Sequence, residues 1–229
     1  MGVLLGLSCS GSALAAKNPY IAGSMGYDVS WPNCKARPPM MPAWGIVGVT
    51  GGLNFRQNPC LRQESSWFMN LSLYANTGYK AADAPKYANF PRQCDLSDEA
   101  CLAYNFGFNA GKYAVDYASA QGVHAAMWWL DVETVNSWSD NVRLNRASIR
   151  GEADAIKRYT VVATVGVYAY YGQWDRLTGN WRPGWPNWSA TGSSERSDAV
   201  AFCRDHHFTG GPTWITQYTL RLDQNYACQ

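Results

Sequence analysis

The 229 residues carry only 16% charged side chains, and 14% are aromatic, including 11 Trp and 14 Tyr. That balance excludes an intrinsically disordered chain and suits one sizeable folded core. The net charge of +2 is spread without a block of Lys or Arg, so neither nucleic acid nor an anionic membrane surface is indicated as a partner.

Met1 to Ala15 carries no charge, is apolar from Gly2 to Leu7 and ends in Ala13-Leu14-Ala15. It reads as a secretory signal spanning 1–15, with a mature domain over 16–229 and an extracellular destination. No other stretch reaches the length of a bilayer span. Loss of Cys9 with the signal leaves an even set of six: Cys34, Cys60, Cys94, Cys101, Cys203 and Cys228. Closeness along the chain and the strand order favour Cys34 with Cys60, Cys94 with Cys101, and Cys203 with Cys228. No Cys-x-x-Cys pair occurs and His206 and His207 are adjacent, so metal ligation by these residues is not expected.

Strand and helix patterns alternate along the chain. Strands are expected at 26–31, 44–50 and 71–75, with a helix near 61–69 between the last two. A long loop over 76–98 precedes a helix over 103–121, in which Tyr104, Phe108, Ala114, Val115 and Ala118 repeat at about 3.6 residues. A strand over 125–133, a helix over 145–159, a strand over 164–170, a helix over 197–206 and a strand over 213–218 complete the series. Such alternation argues for a parallel sheet, and seven or eight strands in this length for a closed, TIM-like α/β barrel with fewer than eight helices.

Trp128-Trp129-Leu130-Asp131-Val132-Glu133-Thr134 is the most informative stretch. On a strand, alternate residues share a face, so Asp131 and Glu133 project together, about 7 Å apart along the backbone. An isolated Asp-x-Glu also marks many solvated strand ends. At the end of an apolar strand, however, one carboxyl kept protonated and one ionised suit glycosidic bond cleavage. Closing the barrel places the first and last strands side by side, which brings Asp28 and Asp223 toward the same rim, where reactive groups of such barrels sit.

Asp28 in Gly26-Tyr27-Asp28-Val29-Ser30, Leu130-Asp131-Val132-Glu133, Val167-Tyr168, Thr216-Gln217-Tyr218 and Leu222-Asp223-Gln224-Asn225 together resemble family 25 glycoside hydrolases, the Chalaropsis-type lysozymes. Tyr27 to Pro32, Gly45 to Gly52 and Trp128 to Thr134 are similar also to a group of secreted actinobacterial glycoside-hydrolase-like proteins. The resemblance implies an eight-stranded barrel cutting peptidoglycan without a cofactor, with Glu133 as proton donor and Asp131, Asp28 and Asp223 as the other acids. It implies a substrate-assisted reaction in which the N-acetyl group is the nucleophile. It lines up Tyr168, Gln217 and Tyr218 as cleft residues. Trp31-Pro32-Asn33-Cys34 departs from the family, which usually has His or Tyr followed by Gln-Gly after the first-strand Asp-Val-Ser.

Trp185, with Trp174, Trp181 and Trp188, lies in or beside a Gly- and Pro-punctuated segment, where indoles either stack on sugar faces or cluster under a loop. The expected partner is a polysaccharide and the expected state a monomer. A glycan-binding barrel that has lost activity, and an acid cluster holding Ca²⁺, are the alternatives.

Overall fold

A computed structural model describes residues 17–39, 42–161 and 163–229. The expected signal segment and Cys9 lie outside the described residues.

Eight strands close into one barrel in sequence order: β1 (Met25–Val29), β2 (Trp44–Gly48), β3 (Leu71–Asn76), β4 (Met127–Asp131), β5 (Thr164–Ala169), β6 (Asn187–Ala190), β7 (Thr213–Thr219) and β8 (Asp223–Ala227). Among the described residues five α-helices intervene: α1 (Leu61–Ser65), α2 (Glu99–Ala120), α3 (Val142–Tyr159), α4 (Tyr171–Thr178) and α5 (Arg196–Asp205). Strands β1 to β7 run parallel, as the alternation predicts. The last strand does not: β8 is antiparallel to both β7 and β1. A short turn, 220–222, joins β7 to β8 and leaves no room for the crossover a parallel strand needs.

Period-two alternation sorts the strands into two apolar layers. Val29, Val47, Leu73, Trp128, Leu130, Val165 and Val167 face outward and are covered by Ile149, Ala153 and Ile156 of α3 and Ala114, Val115 and Ala118 of α2. Trp44, Ile46, Met127, Trp129, Trp188 and Ile215 form the second layer, inside the barrel. Glycine makes space for these indoles: a Cβ on Gly26 would stand 2.3 Å from the Trp44 ring, and one on Gly166 would stand 2.3 Å from that of Trp129. Tyr20, ahead of β1, closes the amino-terminal end, accepting from Trp129 Nε1 at 2.9 Å and hydrogen bonding Ser72 Oγ at 2.7 Å.

Helix α2 starts where the Asp98 carboxylate accepts the Cys101 N–H at 3.0 Å and stops before Gly122, whose φ of 70° admits a residue without Cβ. Helices α2 and α3 approach backbone to backbone, since a Cβ on Gly107 would lie 1.9 Å from the Ser148 carbonyl oxygen. Disulfides join Cys34 to Cys60, Cys94 to Cys101 and Cys203 to Cys228. Among the described residues no helix is long and apolar enough to cross a membrane.

Three elements escaped the sequence patterns: β8, which carries Asp223, β6 and α4. Strand β6 lies in the Gly- and Pro-rich segment read as a loop, and it buries Trp188 at 2% exposure. Helix α4 directly follows β5. Its Trp174 is buried against Trp181 and Phe208, so this part of the tryptophan segment is an internal cluster, not a row of open rings.

Candidate active site

The carboxyl ends of the parallel strands form one mouth of the barrel, and the turn at 220–222 brings the amino end of β8 to it. Register places Asn76 of β3 opposite Asp131, the last residue of β4, and Asp131 opposite Tyr168 of β5. Tyr27 pairs with Gln224, so one step onward Asp28 meets Asp223. All four predicted acids converge here. The phenol of Tyr168 is pushed far above its usual range by burial and then by Glu133, Asp28, Asp131 and Asp223 together. Tyr74 is raised likewise, by burial and by Asp131, Asp28 and Glu133, against a hydrogen bond from Ser30.

Asp131 is the deepest of the acids, at 4% exposure. Its Oδ2 accepts from Asn76 Nδ2, and Asn76 is fixed in turn by Thr50, whose Oγ1 donates to Asn76 Oδ1 at 2.8 Å. The Asp131 Oδ1 atom is buried and receives no N–H or alcohol donor among the described residues. A proton between Asp131 and the neighbouring Glu133 carboxyl satisfies both groups. Burial raises both carboxyls, Asp131 well above its ordinary value because it is the more enclosed. Asp131 is therefore the member of the pair whose carboxyl is raised further. The family resemblance, by contrast, implied Glu133 as the proton donor. Glu133, just past the strand end, is partly open to solvent, and its backbone carbonyl accepts from Trp138 Nε1 at 2.7 Å.

Asp28 is held by two amides, Gln217 Nε2 at 3.0 Å and Asn225 Nδ2 at 2.6 Å, both donating to Oδ2. Each amide is itself oriented: Tyr168 donates to Gln217 Oε1 at 2.7 Å, and Trp188 Nε1 donates to Asn225 Oδ1 at 2.8 Å. Despite these donors the Asp28 carboxyl is pushed up to about 7, first by burial and then by the charge of Asp223. Asp223 accepts from Thr219 Oγ1 at 2.7 Å.

Tyr168 and Gln217 thus stand among the acids, whereas the other two expected cleft residues do not. Alternation along Thr216-Gln217-Tyr218 turns Tyr218 to the outer face, where it donates to Gln224 Oε1 at 2.8 Å and lies near Arg196. Trp185 precedes β6 and so lies toward the opposite rim, packed edge-on to Trp181 at 5.4 Å with the Lys157 ammonium 5.2 Å from its ring centroid. The ring is half-buried there, away from the acids. Asn76, Asn225, Thr50 and Tyr74 were missed, because a single amide or hydroxyl at a strand end carries no sequence pattern. A fifth carboxyl, Glu152 of α3, is buried behind the site near Thr77 and Asn54 and is raised well above its usual value by burial and by Asp131. Among the described residues no three His, Cys, Asp or Glu groups are placed to hold a metal ion.

The family described as Lysozyme-like protein 1 matches residues 47–210, well over half of the chain and including β3 to β6, Asp131 and Glu133. The chain belongs to this lysozyme-like family. That membership places it with the family 25-like lysozymes and makes it a glycosidase of the lysozyme class. Among solved structures, a muramidase from Trichobolus zukalii is 14% identical and superposes with a TM-score of 0.54, covering 90% of this chain and 94% of that one. The Clostridium perfringens spore cortex lytic enzyme SleM is 13% identical with a TM-score of 0.57, covering 93% of this chain and 68% of that one. At those identities the likeness is one of fold. No curated protein sequence matches the chain.

Proposed function

We propose that this lysozyme-like protein is a secreted glycosidase that cleaves the N-acetylated glycan of peptidoglycan, with Glu133 as general acid and base. The observation that carries the reading is the convergence of Asp131 and Glu133 with Asp28 and Asp223 at one mouth of the barrel, where burial raises the Asp131 and Glu133 carboxyls. Of the pair, Glu133 is the member with access to solvent, and hence to a sugar.

The chemistry follows from that asymmetry. When an N-acetylated sugar enters, its acetamido N–H donates to the Asp131 carboxylate, and the shared proton passes to Glu133. Glu133 gives that proton to the glycosidic oxygen as the C–O bond breaks, while the acetamido oxygen attacks the anomeric carbon from the opposite face. Ionised Asp131 stabilises the positive charge on the acetamido ring so formed. Water then opens that ring, and Glu133 takes the water's proton, which returns the pair to its starting charge. Asp28 and Asp223 supply negative potential beneath the developing oxocarbenium ion.

The exported domain begins at residue 16 in this proposal and works outside the cell as a monomer, where three disulfides persist. Clearing of a suspension of bacterial walls tests the function. Wild type is expected to lower the turbidity and Glu133→Gln to leave it unchanged. Walls that bind the protein without clearing would make it a glycan-binding barrel instead.

A further inference from the structure

Beside the acid mouth, the segments that follow β2, β3 and β4 enclose a second cavity of about 360 Å³. Its floor is aromatic. Phe55 stacks on Tyr87 with ring centroids 5.2 Å apart and planes 5° from parallel, and it meets the edge of Phe106 at 5.3 Å. Phe55 has a φ of 59°, a conformation that a bulky L side chain rarely adopts, so its ring is held in the cavity against the preference of its own backbone.

The walls are cationic. Arg56, Lys80 and Lys86 line the cavity against one acid, Asp83, which pairs with Lys80 at 2.8 Å and Lys86 at 2.5 Å. One carboxylate cannot neutralise two ammonium groups, and Arg56 has no ion pair among the described residues. The cavity therefore keeps a positive excess directly beside a mouth crowded with carboxylates. The two sites are joined through the chain: Ser137 lines the cavity and accepts from the Tyr79 N–H at 2.7 Å, while its neighbour Trp138 donates to the backbone carbonyl of Glu133.

We propose that this cavity is a subsite for the carboxylates of the short peptide branches that cell-wall glycan carries, an inference that rests on the glycosidase reading above. A glycan strand laid across the acids must hold its anionic branches away from them. The cations receive those carboxylates, with Arg56 able to take one in bidentate fashion, and the aromatic floor takes the aliphatic parts of the peptide. Recognition of the branch also fixes where along the strand the linkage stands over Glu133.

Calorimetric titration with muramyl dipeptide, which has one sugar, two amino-acid residues and no glycosidic bond to cut, tests the site apart from turnover. Wild type is expected to bind it, and Arg56→Glu to bind at least about ten-fold more weakly, the loss that follows from one charge-assisted pair. Arg56 is exposed, so the fold tolerates the change. Arg62→Glu, which alters net charge equally on exposed α1 surface, should bind like wild type. Equal affinity of Arg56→Glu and wild type, equal weakening by Arg62→Glu, or no binding by wild type would overturn the proposal. Wall clearing measured in parallel separates the two readings. Clearing without Arg56-dependent binding leaves the glycosidase and removes the subsite; such binding without clearing does the reverse.

Discussion

The two halves of the barrel interior are built from the same strands yet hold opposite chemistry. Toward the amino-terminal end the inward side chains are Trp44, Ile46, Met127, Trp129 and Ile215. Two residues further along the same faces, Trp129 gives way to Asp131, Gly26 to Asp28 and Ile215 to Gln217. The lower half is what makes the upper half reactive. A plug of indoles excludes water from beneath the carboxyls, and burial is the first cause of the raised proton affinity of Asp28, Asp131 and Glu133 alike.

Breaking the upper half alone should have the largest effect. Glu133→Gln is expected to cut the rate of reducing-end release from peptidoglycan by about 10²–10⁴-fold, the usual worth of general acid–base catalysis, with the melting temperature unchanged. Breaking the lower half is expected to act on both. Trp129→Ala removes a fully buried indole and its bond to Tyr20, and should cost about 3–5 kcal/mol in denaturant unfolding. Water admitted from below should also bring the acid limb of the pH–rate profile down toward ordinary carboxylate values.

A change at Asp28 sharpens the comparison in the opposite direction. Its carboxyl is raised from 3.8 to about 7 on folding, so the native chain binds more protons than the unfolded one between those limits. The stability Asp28 contributes is complete below the lower limit and is lost as pH rises through the upper one. Asp28→Asn should therefore lower activity yet stabilise the fold at neutral pH, by roughly 1–3 kcal/mol, and flatten that part of the stability curve in urea titrations. The smallest effect belongs to the relay behind it. Tyr168→Phe frees the Gln217 amide to turn, and a fall of about ten-fold in kcat with little change in stability is expected, as for one lost hydrogen bond.

Much of this was legible in the residues. Period two in Leu130-Asp131-Val132-Glu133 sufficed to put both acids on one side, and closure of the barrel sufficed to bring Asp28 to Asp223. The three cysteine pairs followed from closeness along the chain and strand order. Other features depended on register, which no single segment carries. Asn76 matters because it lies opposite Asp131, and Asn225 because antiparallel β8 sets it against Gly26 and Gln217. The same period-two count separates Gln217 from its neighbour Tyr218, which the family resemblance had lined up with it. Pro183, Gly184 and Pro186 hid β6, whose four residues are too few to show alternation, and with it the burial of Trp188.

A proton shared by Asp131 and Glu133 is the feature on which the proposed chemistry turns, and infrared titration of the protonated carboxyl band tests it directly. At neutral pH the wild type is expected to retain a band that Asp131→Asn and Glu133→Gln each remove or shift, because the two groups share one proton. A wild-type spectrum with every carboxyl ionised at neutral pH, or a band indifferent to both substitutions, would contradict the shared proton and the acid catalysis derived from it.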